Sequence, residues 1–336
     1  MTADESNTSG CCAPRPGAGH SNDDRSSVAL SGDTRALGIS AGSARQTGVA
    51  TADNGASFIR IPGGRFWMGA HDPAAHPADG EGPVREVLLD GFEIDAFAVS
   101  NARFKAFVAA TGYVTEAERF GWSIVFSGFV DDPDHRLRTL PASPWWKQVF
   151  GACWHAPEGS ASSIDGRENH PAVHISYADA QAYCAWSAAR LPTEAEWECA
   201  ARGGLVQQRY PWGNDLTPDG QHRCNIWQGT FPRENLAEDG YAGTAPVDVY
   251  QANGFGLHNV VGNTWEWCQD WFSPDHHARA SLDNPQGPPK GHARVIRGGS
   301  YLCHDSYCFR YRVSARSSVP PDTSTGHLGF RIARSL

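Results

Sequence analysis

The sequence predicts one α+β domain, poor in regular secondary structure, behind a disordered N-terminal tail. Three observations carry this expectation. Glycine (36) and proline (22) are frequent and interrupt the chain before long helical patterns can build. Strand-like and helix-like segments do not alternate as βαβ units do. All 12 Trp, 15 Phe and 9 Tyr lie from Phe58 onward. Residues 1–55, rich in Ser, Gly, Ala, Asn and Asp, cannot bury enough apolar area to offset their ordering entropy. Residues 56–336 are expected to form the single domain.

Taken in order, FIRIPGGRFWMG (58–69) reads as a strand, a Gly-Gly turn and a second strand, and VREVLLDGFEIDAFAV (84–99) as a further hairpin. Ser100 and Asn101 can cap a helix running to Thr111, with Phe104, Phe107 and Val108 on one face and Gly112 as its stop. Residues 113–170 look irregular, with one strand somewhere in 114–128. Pro144-Trp145-Trp146 and Cys153-Trp154-His155 read as aromatic-rich loop. Ser176-x-x-Asp179 opens a helix expected to reach Arg190, ahead of Pro192. Thr193-x-x-Glu196 is a capping-box pattern for a helix ending at Arg202, before Gly203-Gly204. Residues 211–275 show no clear periodicity and would have to bury many backbone polar groups, which a bound cation can satisfy. Two strands are expected at the end. Tyr311, Val313 and Ala315 would form an apolar face opposite Arg310, Arg312, Ser314 and Arg316, and Leu328, Phe330 and Ile332 alternate likewise.

Composition excludes several classes. Net charge is −9, from 28 basic and 37 acidic residues, and no lysine-rich run supplies a nucleic-acid footprint. No apolar run approaches the length of about 18 residues that a membrane helix needs. The segment MTADESNTSGCC lacks the basic and apolar regions of a secretory signal. Nine cysteines, several in apolar contexts (Cys184, Cys199, Cys268), are expected to be reduced thiols in a cytoplasm. No G-x-S-x-G elbow supports a hydrolase. His174 and His258 are expected to be satisfied core histidines, and Arg294, Arg297, Arg310 and Arg312 strand-face salt bridges.

The segment RVIRGGSYLCHDSYCFRYRVSAR (294–316) places Cys303 and Cys308 five residues apart. No CxxC or His/Cys cluster accompanies them, so a four-ligand zinc site lacks its other half. Two thiolates suit a soft, low-coordinate metal such as copper(I), or a redox pair. A disulfide or two inert core thiols is the structural alternative. For Asn259-x-x-Gly262-Asn263-x-x-Glu266, hard oxygen donors suit calcium, and the alternative is an Asx-rich turn with a buried glutamate paired to an arginine.

RLPTEAEWE (190–198), PWGN (211–214), NIWQGTFP (225–232), GTAPVDVY (243–250), NGFGLHNVVGNTWEWCQDWF (253–272), RGGSYLCHDSYCFRYR (297–312) and HLGFR (327–331) resemble the formylglycine-generating enzymes, or sulfatase-modifying factors. The resemblance covers Ala56 to Arg334, and its C-x4-C element marks the catalytic branch. It implies a C-type-lectin-like α+β fold. It also implies conversion of a sulfatase cysteine, within a C-x-P-x-R segment, to Cα-formylglycine, with O2 as oxidant and copper(I) held by Cys303 and Cys308. Ser300, Tyr307, His304 and Trp265 fall where the family lines its active site. Structural calcium would sit on Asn225, Ile226, Asp239 and Tyr241, and on Asn259, Gly262, Thr264 and Glu266. His327 stands where the family usually has Asn. Three of four vertebrate disulfide cysteines are replaced, by Ala201, Val313 and Ile332, and Cys184 matches the fourth, which fits a reduced, bacterial cytoplasm.

Two other readings compete: a non-catalytic binding module on the same fold, against which the cysteine pair argues, and an iron-dependent sulfoxide synthase, whose histidine-bearing helical domain has no counterpart here. The expected partner is a sulfatase polypeptide, with neither nucleic acid nor membrane, and the expected state is a monomer. Acidic Asp131, Asp132 and Asp134 are candidates for the substrate arginine, with a solvated loop as the plainer reading. Cys11 and Cys12, in Cys12-Ala13-Pro14-Arg15, are read as incidental thiols of a mobile tail.

Overall fold

The structure, a computed structural model, describes residues 55–131, 137–141 and 143–336. The expected tail, with Cys11 and Cys12, and the loop residues Asp132 and Asp134 lie outside the described residues. Asp131 is exposed.

Strands β1 (Phe58–Ile61), β2 (Gly64–Met68), β3 (Arg85–Leu89) and β4 (Phe92–Asp95) form where expected, but not as two hairpins. β1 pairs with β4 and β2 with β3 in one unshifted antiparallel register, from Phe58 opposite Asp95 to Met68 opposite Arg85. Gly63 is therefore a point of close approach and not a reversal. A Cβ there would stand 2.8 Å from the Gly91 amide nitrogen, so the ribbon can narrow only with glycine at that place.

Helix α1 (Asn101–Thr111) starts at Ser100, whose side chain accepts from the Arg103 amide, and stops at left-handed Gly112. A short helix α2 (Glu116–Phe120), closed by a Thr115–Glu118 capping box, was not expected. Helix α3 (Tyr177–Trp186) ends earlier than expected, because Arg190 is drawn off to exchange backbone bonds of 2.9 and 2.7 Å with Ala333. Helix α4 (Glu194–Arg202) has the expected Thr193–Glu196 box and a left-handed Gly203.

Three further elements correct the sequence reading. Ser143–Phe150, read as aromatic loop around Trp145 and Trp146, is strand β7, the centre of a sheet with β5 (Trp122–Phe126) and β6 (Arg138–Leu140). Trp265–Trp271, in the stretch without periodicity, is strand β8. It is buried almost along its whole length, which erases the alternation that sequence reading relies on. Residues 311–315 are not a strand. The chain turns there and enters β10 (Arg316–Val319), which joins β9 (Arg294–Arg297), β8 and β11 (Leu328–Gly329) in the order β10-β9-β8-β11. β12 (Ala333–Ser335) returns to the free edge of β4.

The expected polar faces of the C-terminal segments are also inside. Arg310, Arg312, Arg316 and Arg331 are as buried as Tyr311, Val313 and Phe330. Each meets carboxylates: Arg310 Nε with Asp79 at 2.6 Å, Arg312 with Glu81 at 2.6 and 2.7 Å, and Arg316 with Glu194 at 2.7 and 2.8 Å. Arg331 Nε and Nη2 reach Glu266 at 3.1 and 3.0 Å. Arg297 lies between Glu194 and Glu198 at 3.1 and 2.6 Å. Arg294 departs from the salt-bridge reading, its guanidinium lying 3.6 Å from the Trp271 ring centroid.

Burial pushes the Glu194 carboxyl up, but Arg316, His277 and Arg297 outweigh it and hold its pKa well below the ordinary range. Its contribution to stability is therefore present above the unfolded glutamate pKa of about 4.3 and is lost as pH falls through and below that value. Glu194→Gln should cost about 3–5 kcal/mol at neutral pH, by leaving buried guanidinium groups uncompensated, and should flatten the acid limb of the melting temperature between about pH 6 and 3. Calorimetry across that range checks both.

Candidate active site

The loop 300–309 follows β9 and is shaped by its own backbone. The Cys303 amide donates to the Ser300 carbonyl at 2.9 Å. The amides of Tyr307, Cys308 and Phe309 converge on the His304 carbonyl at 3.2, 2.8 and 3.1 Å. These turns fold the loop back on itself and bring the two sulfurs to 2.8 Å from each other. That contact is non-covalent, and Cys308 takes part in a disulfide in this structure. Both cysteines are fully buried.

Neighbouring elements fix the loop from outside. The Trp227 amide donates to the Cys303 carbonyl at 3.1 Å, and the Tyr301 amide to the Asn263 carbonyl at 3.0 Å. His76 Nε2 meets the Cys308 carbonyl at 2.9 Å. No motif marked His76 or Trp227 in the sequence. Their contribution is through long-range contacts that only the fold creates.

Of the expected lining residues, Ser300 stands beside the pair. Its amide donates to Cys303 Sγ at 3.4 Å, and its hydroxyl meets His327 Nδ1 at 3.0 Å. His327, fully buried, also packs edge-on against Trp146 at 4.7 Å between centroids. Tyr307 donates its hydroxyl to the Leu302 carbonyl at 3.0 Å, and its ring stacks on Phe231 at 4.0 Å with Trp145 edge-on to both. The Trp145-Trp146 segment read as loop is therefore a strand that delivers an aromatic wall to the site. The half-buried His304 ring turns to Ser306 and Asp305 at 2.8 and 3.1 Å, so it is the His304 carbonyl that organises the loop. Trp265 shares the buried core with both sulfurs and donates its amide to the His327 carbonyl at 2.9 Å. Cys224 was missed: burial, then Asp239 and Cys303, push its thiol up.

Asn225, Ile226, Asp239 and Tyr241 come together next to this loop. Asp239 accepts from the Ile226 and Tyr241 amides at 2.9 and 3.0 Å. Asn225 Oδ1 is buried without a hydrogen-bond partner. An orphaned buried oxygen beside a carboxylate fits a hard cation. The second set fits less well. Glu266 accepts from Trp197 Nε1 at 2.8 Å as well as from Arg331, which is the buried glutamate–arginine pair that the sequence allowed. Asn259 accepts from the Tyr250 amide and donates to the Pro246 carbonyl, while Gly262 and Thr264 shape the connecting loop.

His174 is a satisfied core histidine, fully buried between Ser123 Oγ at 2.7 Å and the Pro157 carbonyl at 2.8 Å. Burial lowers its pKa to about 4. His258 Nδ1 meets the Tyr250 carbonyl at 2.8 Å. Among the described residues no helix is long and apolar enough to cross a membrane.

Comparison with known proteins agrees with this geometry. A sulfatase-modifying factor enzyme 1-like domain matches residues 44–336. The formylglycine-generating enzyme of Thermomonospora curvata is 60% identical over 280 residues, covering 82% of this chain and 92% of its own. That of Streptomyces coelicolor is 60% identical over 276 residues, covering 82% and 88%. Among solved structures, PvdO from Pseudomonas aeruginosa shares the fold, with a TM-score of 0.64 at 24% identity over 87% of this chain and all of its own. This chain belongs to the sulfatase-modifying factor family, that of the formylglycine-generating enzymes.

Proposed function

We propose that this protein converts the cysteine of a sulfatase C-x-P-x-R segment to Cα-formylglycine, with O2 as oxidant and copper(I) held by Cys303 and Cys308, acting as a monomer. The observation that carries the reading is the pair of buried sulfurs 2.8 Å apart, set in a family whose relatives are named for this conversion. The same pair disfavours the non-catalytic module.

The donor set fits the metal. Two thiolates are soft ligands suited to a d10 ion. Metal–thiolate bonds are about 2.3 Å long, so loading opens the pair and begins from the reduced protein. When bound, copper(I) supplies the one-electron chemistry with dioxygen that side chains lack.

The residues present do the rest. The Ser300 amide, aimed at Cys303 Sγ, favours its thiolate. The Ser300 hydroxyl, bonded to His327, offers a proton-handling group beside the sulfurs. Tyr307, Phe231 and Trp145 form the wall against which the substrate segment lies, and burial excludes water from the reacting sulfur. Oxidation at the substrate Cβ gives a thioaldehyde, which water hydrolyses to the aldehyde.

Reducing surroundings suit the remaining thiols. Cys153, Cys184, Cys199, Cys224 and Cys268 form no disulfide, and burial pushes Cys184 and Cys199 up to about 12. They are unreactive, and a cytoplasmic setting follows.

Mass spectrometry of a C-x-P-x-R peptide after incubation with enzyme, copper and air should show loss of sulfur and gain of one oxygen at the cysteine. Cys303→Ser and Cys308→Ser should each abolish this product and copper(I) binding; full turnover by either variant contradicts the reading. For calcium, the Asn225–Asp239 cluster is the favoured site. A chelator should lower the melting temperature, by about 2.7 kcal/mol of stability for an ion present at 100 times its Kd. Asn225→Ala should lose that sensitivity. Differential scanning fluorimetry checks both.

A further inference from the structure

A small cavity lies against the first turn of α4, away from the residues assigned to the metal and the substrate. Met68, Arg85, Glu194, Asp270, His277 and Arg316 line it. Its volume, ≈ 10 Å³, admits about one water-sized particle.

Arg85 makes this cavity unusual. Only 9% of it is exposed, yet its Nε and Nη1 have no hydrogen-bond partner. Its Nη2 meets only Met68 Sδ, at 3.1 Å, and a thioether is a weak acceptor. Buried guanidinium donors are ordinarily matched by acceptors. Glu194 does not serve, because Arg316 occupies both its oxygens at 2.7 and 2.8 Å. Glu198 does not serve either, being held by Arg202 and Arg297 at 2.7 and 2.6 Å.

Charge balance points the same way. Arg85, Arg202, Arg297 and Arg316 share this buried cluster with Glu194, Glu198 and Asp270. Cations outnumber carboxylates even with Asp270 ionised, and burial raises the pKa of Asp270 to about 7, which widens the excess. An uncompensated buried charge is costly.

A water molecule is the rival occupant. His277 Nε2 lies 3.2 Å from Glu194, and its Nδ1 has no partner, so a water could bridge Arg85 to that nitrogen. Water leaves the charge excess in place, whereas an anion accepts from Arg85 and cancels it. We propose that this cavity binds one small monovalent anion, chloride, held chiefly by Arg85, and that the ion fastens α4 to β3.

The test uses the full chain. Melting in sodium chloride is compared with sodium gluconate, too large for the cavity, at equal ionic strength. The melting temperature should rise by about 3 °C for each tenfold increase in chloride above its Kd, and Arg85→Met should abolish the rise. Crystals soaked in bromide should show an anomalous peak beside Arg85 Nε and Nη1, a readout on the wild-type protein that stands even where the variant fails to fold. Density without anomalous signal means water and overturns the proposal, as does identical melting in chloride and gluconate.

Discussion

Glu194 and Glu198 stand one turn apart on α4, and both point into a core where arginines meet them. Arg297 from β9 and Arg316 from β10 reach the first carboxylate, and Arg297 and Arg202 the second. Hydrophobic burial alone could not orient this fold, because helices and strands are short and much of the chain is irregular. Directional ion pairs supply the missing specificity. They tie α4, the central sheet and the 79–81 segment to one another, and the cysteine loop leaves the end of β9 at the position that this frame dictates.

The site therefore rests on a hard scaffold while its reactive atoms are soft. Arg310 and Arg312, two and four residues past Cys308, are clamped by Asp79 and Glu81. His76, just before that acidic pair, meets the Cys308 carbonyl. One side of the loop is thus pinned by charge and the other by Trp227 and Asn263, beside the Asn225–Asp239 cluster. A cation there would stiffen the segment that carries Trp227, and so act on the sulfurs at one remove.

The sequence made parts of this plain. The caps of α1, α3 and α4 were visible because Ser100, Ser176 and Thr193 act locally. The cysteine pair was visible because its spacing is local and its company was missing. The continuous ribbon of β1–β4 was not, because Gly63 looks the same whether it reverses a chain or lets two strands approach. β8 escaped because a strand buried on both faces has no alternation to read. The buried arginines escaped for a related reason. Alternating Arg and apolar residues signify a wet face unless carboxylates from distant segments come to meet them, and Asp79 and Glu81 lie far away in sequence.

The convergence of three amides on the carbonyl of His304 has an evolutionary corollary. Because main-chain groups dictate how the thiols face each other, side chains at the tip of the turn are released from that duty. Asp305 and Ser306 point into solvent, so this rim can drift in charge and shape without disturbing the sulfurs beneath it. Relatives could in this way retune which polypeptides they admit while leaving the reactive centre untouched.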